Sequence, residues 1–220
     1  PLFDPKLRTN TWCHGGEHLW SIMGAHLSGG VALKWLKNNI LGAESFDAMT
    51  ALAQEVTAGS EGLLFLPYLN GERTPHTDPN AKAVYLGMTL RHDKRHMIRS
   101  TMEGIVYSMK ESYAIFRSLG IKGDRIIAAG GGAKSPLFRQ IQADMYDCPI
   151  YTNQGKEQAS IGAAMTAAVG SGYFKDYEEA CGQMVHLSPE VTEPIPENVK
   201  LYEEEFLRFK EIYFANKALF

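Results

Sequence analysis

Three consecutive glycines set between a short apolar run and a helix start constrain this chain more than any other stretch, in the order Arg125-Ile126-Ile127-Ala128-Ala129-Gly130-Gly131-Gly132-Ala133-Lys134-Ser135-Pro136. The apolar run, bounded by a charge and by glycines, reads as a buried parallel strand. Ser135-Pro136 reads as a helix start, with an N-cap serine and proline at the first helical position. Gly130, Gly131 and Gly132 therefore occupy a strand-to-helix turn, where backbone without a Cβ can lie close to a ligand. The helix beyond offers unpaired N–H groups and the positive end of its dipole. That arrangement suits a nucleotide. A tight turn can also use glycine for its own geometry, and the run matches neither G-x-x-x-x-G-K-S/T nor G-x-G-x-x-G.

With 220 residues the chain is long enough to bury a core, and its net charge of −3 with both signs dispersed gives no electrostatic reason to expect nucleic acid or an anionic membrane as partner. No apolar run approaches the roughly 18 residues of a membrane span, and the N-terminus has no basic-then-apolar signal pattern. A cytoplasmic protein is the expectation. Cys13, Cys148 and Cys181 are far apart and without a C-x-x-C pair, so reduced thiols are expected.

Along the chain, residues 1–10 read as irregular. His14-Gly15-Gly16-Glu17-His18 matches the H-x-x-E-H pattern of one class of zinc peptidases, but that chemistry needs a continuous helix, which two adjacent glycines disfavour. Residues 21–39 have helical spacing interrupted by Ser28-Gly29-Gly30, which suggests a bend or a close neighbour. Residues 45–57 form a helix with Phe46, Met49, Leu52 and Val56 on one face, and residues 63–66 and 84–90 are strands. Asp93 caps a long helix ending near Gly120, with Ile98, Met102, Ile105, Met109, Tyr113 and Phe116 inward, and Glu103 beside that stripe needs a partner. In the loop 67–79, Arg73 either holds a phosphate or ties the loop to a neighbour. The helix after the glycine turn carries Leu137, Ile141 and Met145 inward. Residues 157–169 form a helix of small side chains that allow close packing or a flat ligand, and a last helix directs Tyr202, Phe206, Phe209 and Tyr213 to the core.

Alternating strands and helices argue an α/β domain with a partly parallel sheet. At Phe65-Leu66-Pro67-Tyr68-Leu69-Asn70-Gly71-Glu72-Arg73-Thr74-Pro75-His76 the chain resembles the xylulose kinases of the FGGY carbohydrate-kinase family. The likeness continues through Gly87, Ile98-Arg99, Met102-Glu103-Gly104, the glycine turn with Lys134-Ser135, Arg139-Gln140, Ala143-Asp144 and Gly162-Ala163-Ala164. The resemblance implies a ribonuclease-H-like, actin-like ATPase domain, the second of a sugar kinase. Residues 1–220 would be the C-terminal ATP-binding domain, with 187–220 as an extended segment and packing helix. It implies ATP with Mg2+ carried by the nucleotide, and D-xylulose bound through an N-terminal domain that also holds the catalytic base. Gly131 and Ser135 match nucleotide-contacting positions, as do Gly30 and Lys34, although glycerol kinases have glutamine at the latter; Gly130 and Gly132 complete the loop. A Gly-Thr-Ser-Gly-type hairpin that opens this domain in the family is not found here, and the sheet edge left by its absence would favour aggregation or pairing with a second chain, a homodimer included. The alternatives are a kinase of another ketose or polyol, or a nucleotide-binding or interaction module without chemistry.

Overall fold

Asp93 accepts a hydrogen bond from the N–H of Arg95, and His96 completes a capping box, so the longest helix, α3 (Lys94–Ser118), starts where its cap predicts. The computed structural model describes residues 1–123, 125–155 and 157–220. In it Ile98, Met102 and Ile105 of α3 are buried, and Gly104 lets the backbone of Phe65 lie against the helix, where a Cβ would collide with its carbonyl oxygen. That carbonyl belongs to β3 (Leu64–Leu66), which pairs antiparallel with β4 (Val84–Leu86).

Around this centre the chain begins with a hairpin of β1 (Asn10–Cys13) and β2 (Trp20–Met23). Its turn is the His14-to-His18 stretch, closed by His14 N–H to the carbonyl of Leu19 at 3.0 Å, so the helix that the zinc motif requires is not formed. The hairpin also corrects the helical reading of residues 21–27. Ile22 and Met23 fit helical spacing, but cross-strand pairing with Thr11 and Asn10 decides their conformation. The Gly29-Gly30 pair opens a helix instead of bending one: α1 (Gly29–Trp35) runs into a π-helical turn, Leu36–Leu41, ended by Gly42 in the left-handed region. Next, α2 (Phe46–Gln54) is capped by the hydroxyl of Ser45, which accepts from Ala48 N–H.

Strand β5 (Ile126–Ala128) pairs parallel with β6 (Ile150–Thr152), and α4 (Pro136–Tyr146) crosses between them. In α4 Ile141 and Met145 are buried as expected, while Leu137 is only partly so and Phe138 takes the inward position in the first turn. After β6 come α5 (Gln158–Gly170), α6 (Tyr177–Met184) and α7 (Pro196–Asn216). None of the described residues of α5 is buried, so its small side chains are not tightly packed within this chain. The four aromatic residues expected inward on α7 are buried.

Two buried carboxylates join these elements. Glu103 accepts from Arg99 Nε at 2.7 Å, Tyr202 OH at 2.7 Å, Gly59 N–H at 3.0 Å and Ser60 Oγ at 2.7 Å, which ties α3 to the turn after α2 and to α7. Asp144 accepts from Gln140, from Ile195 N–H and from Asn198, which fixes the segment before α7 on α4.

Candidate functional site

The turn after β5 and the first residues of α1 face one cleft of about 930 Å³. On the turn side it is lined by Ala129, Gly131, Gly132, Lys134 and Ser135, and on the α1 side by Gly29, Gly30, Leu33 and, in the π-helical turn, Lys37. Its floor is apolar, with Met102, Ile105 and Met109 of α3 and Phe138 of α4, and the start of α2 supplies Ser45, Phe46, Asp47 and Thr50. The turn is held from below by Arg139, which donates to the carbonyl of Ala133 at 2.8 Å. Ser135 accepts from Phe138 N–H at 3.3 Å and so caps α4, whose N-terminal N–H groups and positive dipole end lie beside the turn.

Four of the six residues singled out in the sequence, Gly30, Gly131, Gly132 and Ser135, line this one cleft. The other two do not: Lys34 is exposed on α1, and Lys37 takes the lining position a turn later, while Gly130 shapes the turn with φ of 75°. The glycines differ in what they serve. A Cβ on Gly132 would come within 2.9 Å of the Phe138 ring, so that position is set by the chain's own packing. A Cβ on Gly30 or Gly131 would meet nothing within 4 Å. Phe46, expected on the inward face of α2, is 48% exposed and borders the cleft. Lys37, Phe46 and Gln142 were not legible as site residues, because they reach the cleft only through packing of α1, α2 and α4 on α3.

The loop after β3 has a different task. Glu72 accepts from Leu27 N–H at 3.0 Å, and the Thr74 hydroxyl accepts from Ala25 N–H and donates to Arg8 O, which anchors the segment leading into α1. Arg73 is exposed, and the loop is tied down by its neighbours' side chains, not by the Arg73 guanidinium.

Behind the loop, His76 stacks on Tyr213 at 3.6 Å between ring centres and lies 3.9 Å from Glu111, which accepts from Tyr68 OH. Burial raises Glu111 from 4.5 to about 7 and lowers His76 from 6.5 to about 4. Between pH 4.5 and 6.5 the unfolded chain carries its proton on the histidine and the folded chain on the glutamate, one proton in either state, so this pair adds no slope there. Glu111→Gln leaves His76 alone, with a depressed pKa whose stability contribution is complete above 6.5 and lost as pH falls toward 4. The variant is therefore expected to lose more stability relative to the parent chain at pH 5 than at pH 7 in urea unfolding. An equal difference at both values would contradict the assignment.

A family model described as "FGGY family of carbohydrate kinases, C-terminal domain" matches residues 3–171. The chain is 35% identical over 216 residues to a xylulose kinase of Bacillus subtilis, covering 98% of this chain and 43% of that protein. It is 32% identical to a gluconokinase of the same organism, covering 92% of this chain and 41% of that one. A ligand-bound xylulose kinase structure from Lactobacillus acidophilus superimposes with a TM-score of 0.91 at 29% identity, over 99% of this chain and 44% of that chain. The chain thus spans less than half the length of the relatives it matches.

Proposed function

We propose, from the premise that the chain belongs to the FGGY family of carbohydrate kinases, that residues 1–220 form the nucleotide-binding half of an ATP-dependent sugar kinase. The fold is that of the family's C-terminal domain, the ribonuclease-H-like, actin-like ATPase architecture. The observation that carries the nucleotide reading is the cleft in which Gly30 and Gly131 have no steric reason, within the chain itself, to be glycine. At these two positions the open space above the backbone faces the cleft, which gives a ligand room to lie against the main chain.

D-xylulose is the substrate we assign, with D-xylulose 5-phosphate as product, and the loop from Phe65 to His76 is the sequence feature that favours it over gluconate. In this reading the acceptor sugar and the base that takes its hydroxyl proton belong to an N-terminal domain. The present residues have three tasks. The glycine turn and the start of α4 orient the polyphosphate, the apolar floor holds the base, and closure of the two halves excludes water that would otherwise hydrolyse the nucleotide. Among the described residues no group of three or more His, Cys, Asp or Glu side chains is placed to hold a metal ion. In this reading Mg2+ enters as the companion of the phosphates, whose charge it neutralises when bound.

Calorimetric titration of the chain with MgADP and then with D-xylulose tests this. Binding of nucleotide with no response to sugar is expected. Sugar binding without nucleotide would overturn the assignment of the two halves, and no heat with MgADP would remove the nucleotide reading.

A further inference from the structure

Gln142 is the anomaly of the cleft. It sits on the apolar floor beside Phe138 and Met109, 7% exposed, and its Oε1 is buried with no hydrogen-bond partner. A buried carboxamide oxygen without a donor is unusual in a folded chain, and one that borders a ligand cleft points to a partner supplied by the ligand. The other polar groups at the cleft are placed for a different part of a nucleotide. Ser135, the glycine turn and Lys37 lie at backbone N–H groups or carry positive charge, which suits phosphates, whereas the floor of methionine, isoleucine and phenylalanine suits a flat base.

We propose that Gln142 reads the nucleobase in this cleft and makes it selective for a 6-aminopurine over a 6-oxopurine. This rests on the nucleotide-binding reading above and adds to it the residue that discriminates. A carboxamide offers one acceptor and a donor side by side, which complements the amino group and N7 of adenine. A 6-oxopurine presents two acceptors, O6 and N7, at the same edge, so the carboxamide oxygen of Gln142 is left facing O6 without a donor. Among the described residues no hydrogen bond engages Oε1 of Gln142, so that oxygen is available to a ligand in the cleft. Phe46, exposed at the rim, offers a ring against which either base can lie and so does not discriminate.

The test is calorimetry on the whole chain with MgADP and with magnesium inosine diphosphate, for the parent, Gln142→Met and Gln142→Glu, with thermal melts to establish that each variant is folded. The parent is expected to prefer MgADP by about tenfold or more, in line with a site that leaves a buried polar group unpaired for the wrong base. Gln142→Met should weaken MgADP binding by about tenfold and leave the inosine nucleotide within about twofold, so that the preference disappears. Gln142→Glu, which keeps an acceptor but loses the donor to N7, should retain part of it and serves if the methionine variant does not fold. Equal weakening of both nucleotides would make Gln142 a packing residue and overturn the inference. Binding of both nucleotides by the parent with equal affinity would also overturn it while leaving the nucleotide reading intact. A parent that binds neither would remove both.

Discussion

Glu103→Leu is expected to lower the unfolding free energy by about 3–5 kcal/mol, the range for removing one partner of a buried ion pair. Its carboxylate is 1% exposed and receives four donors from three parts of the chain. Leucine fills much of the volume but accepts nothing. The Arg99 guanidinium would then be left buried without a counter-charge, and Gly59 N–H and Ser60 Oγ without the acceptor they now have. A domain of this kind has a net stability of about 5–15 kcal/mol, so the variant would be close to unfolding at 37 °C. The carbon chain of Glu103 is not the source of the effect, which gives a second check. Changing both Arg99 and Glu103 to leucine should recover part of the loss, because a buried ion pair replaced as a pair by apolar groups is often neutral. Urea unfolding of the three variants decides: a loss below about 1 kcal/mol for Glu103→Leu would show that the surrounding donors find water instead.

The need of Glu103 for a partner was legible in the sequence because it follows from helical periodicity: a carboxylate beside an apolar stripe must be satisfied. The identity of its partners was less so. Arg99 is one turn away on the same helix, but Tyr202 is 99 positions distant and arrives only when α7 docks. The same division runs through the fold. Helix α3 was readable because its cap, stripe and C-terminal glycine are all local signals, and so were the parallel strand, glycine turn and Ser135-Pro136 start of the βα unit, although the strand is not buried as expected: Ile127 is 49% exposed and only Ala128 is buried. Hairpin β1–β2 was not, since Ile22 and Met23 have helical spacing and are extended only because Thr11 and Asn10 lie opposite them. At the cleft, backbone-determined residues such as Gly131 were recognisable, and side chains delivered by packing, such as Gln142 and Phe46, were not. Phe46 was misread for a specific reason: at the first position of α2 it follows the apolar spacing of Met49, yet the helix end turns it outward to the cleft.

Gly131→Val is expected to leave the fold intact and to weaken MgADP binding by roughly 30-fold, equivalent to about 2 kcal/mol of overpacking against the ligand. This glycine is separable from its two neighbours in the turn. Gly130 has φ of 75°, so any side chain there strains the backbone, and at Gly132 a Cβ meets the Phe138 ring at 2.9 Å. Variants at those two positions would damage the turn whether or not a ligand binds. Gly131 has φ of −64° and ψ of −40°, ordinary right-handed values, and open space where its Cβ would be. A side chain there also restricts the unfolded chain, so Gly131→Ala should be neutral or stabilising by up to about 1 kcal/mol. Gly162 is the control, because its Cβ would also meet nothing within 4 Å but it lies on α5, away from the cleft. Gly162→Val should bind MgADP like the parent chain. Thermal melts that stay within a few degrees, with an affinity loss confined to Gly131→Val and graded from alanine to valine, would mean that the space above Gly131 is where the nucleotide lies. Unchanged affinity in a folded Gly131→Val chain would mean that the turn is glycine-rich for its own geometry and that the nucleotide, if bound, approaches from the α1 side, at Gly30.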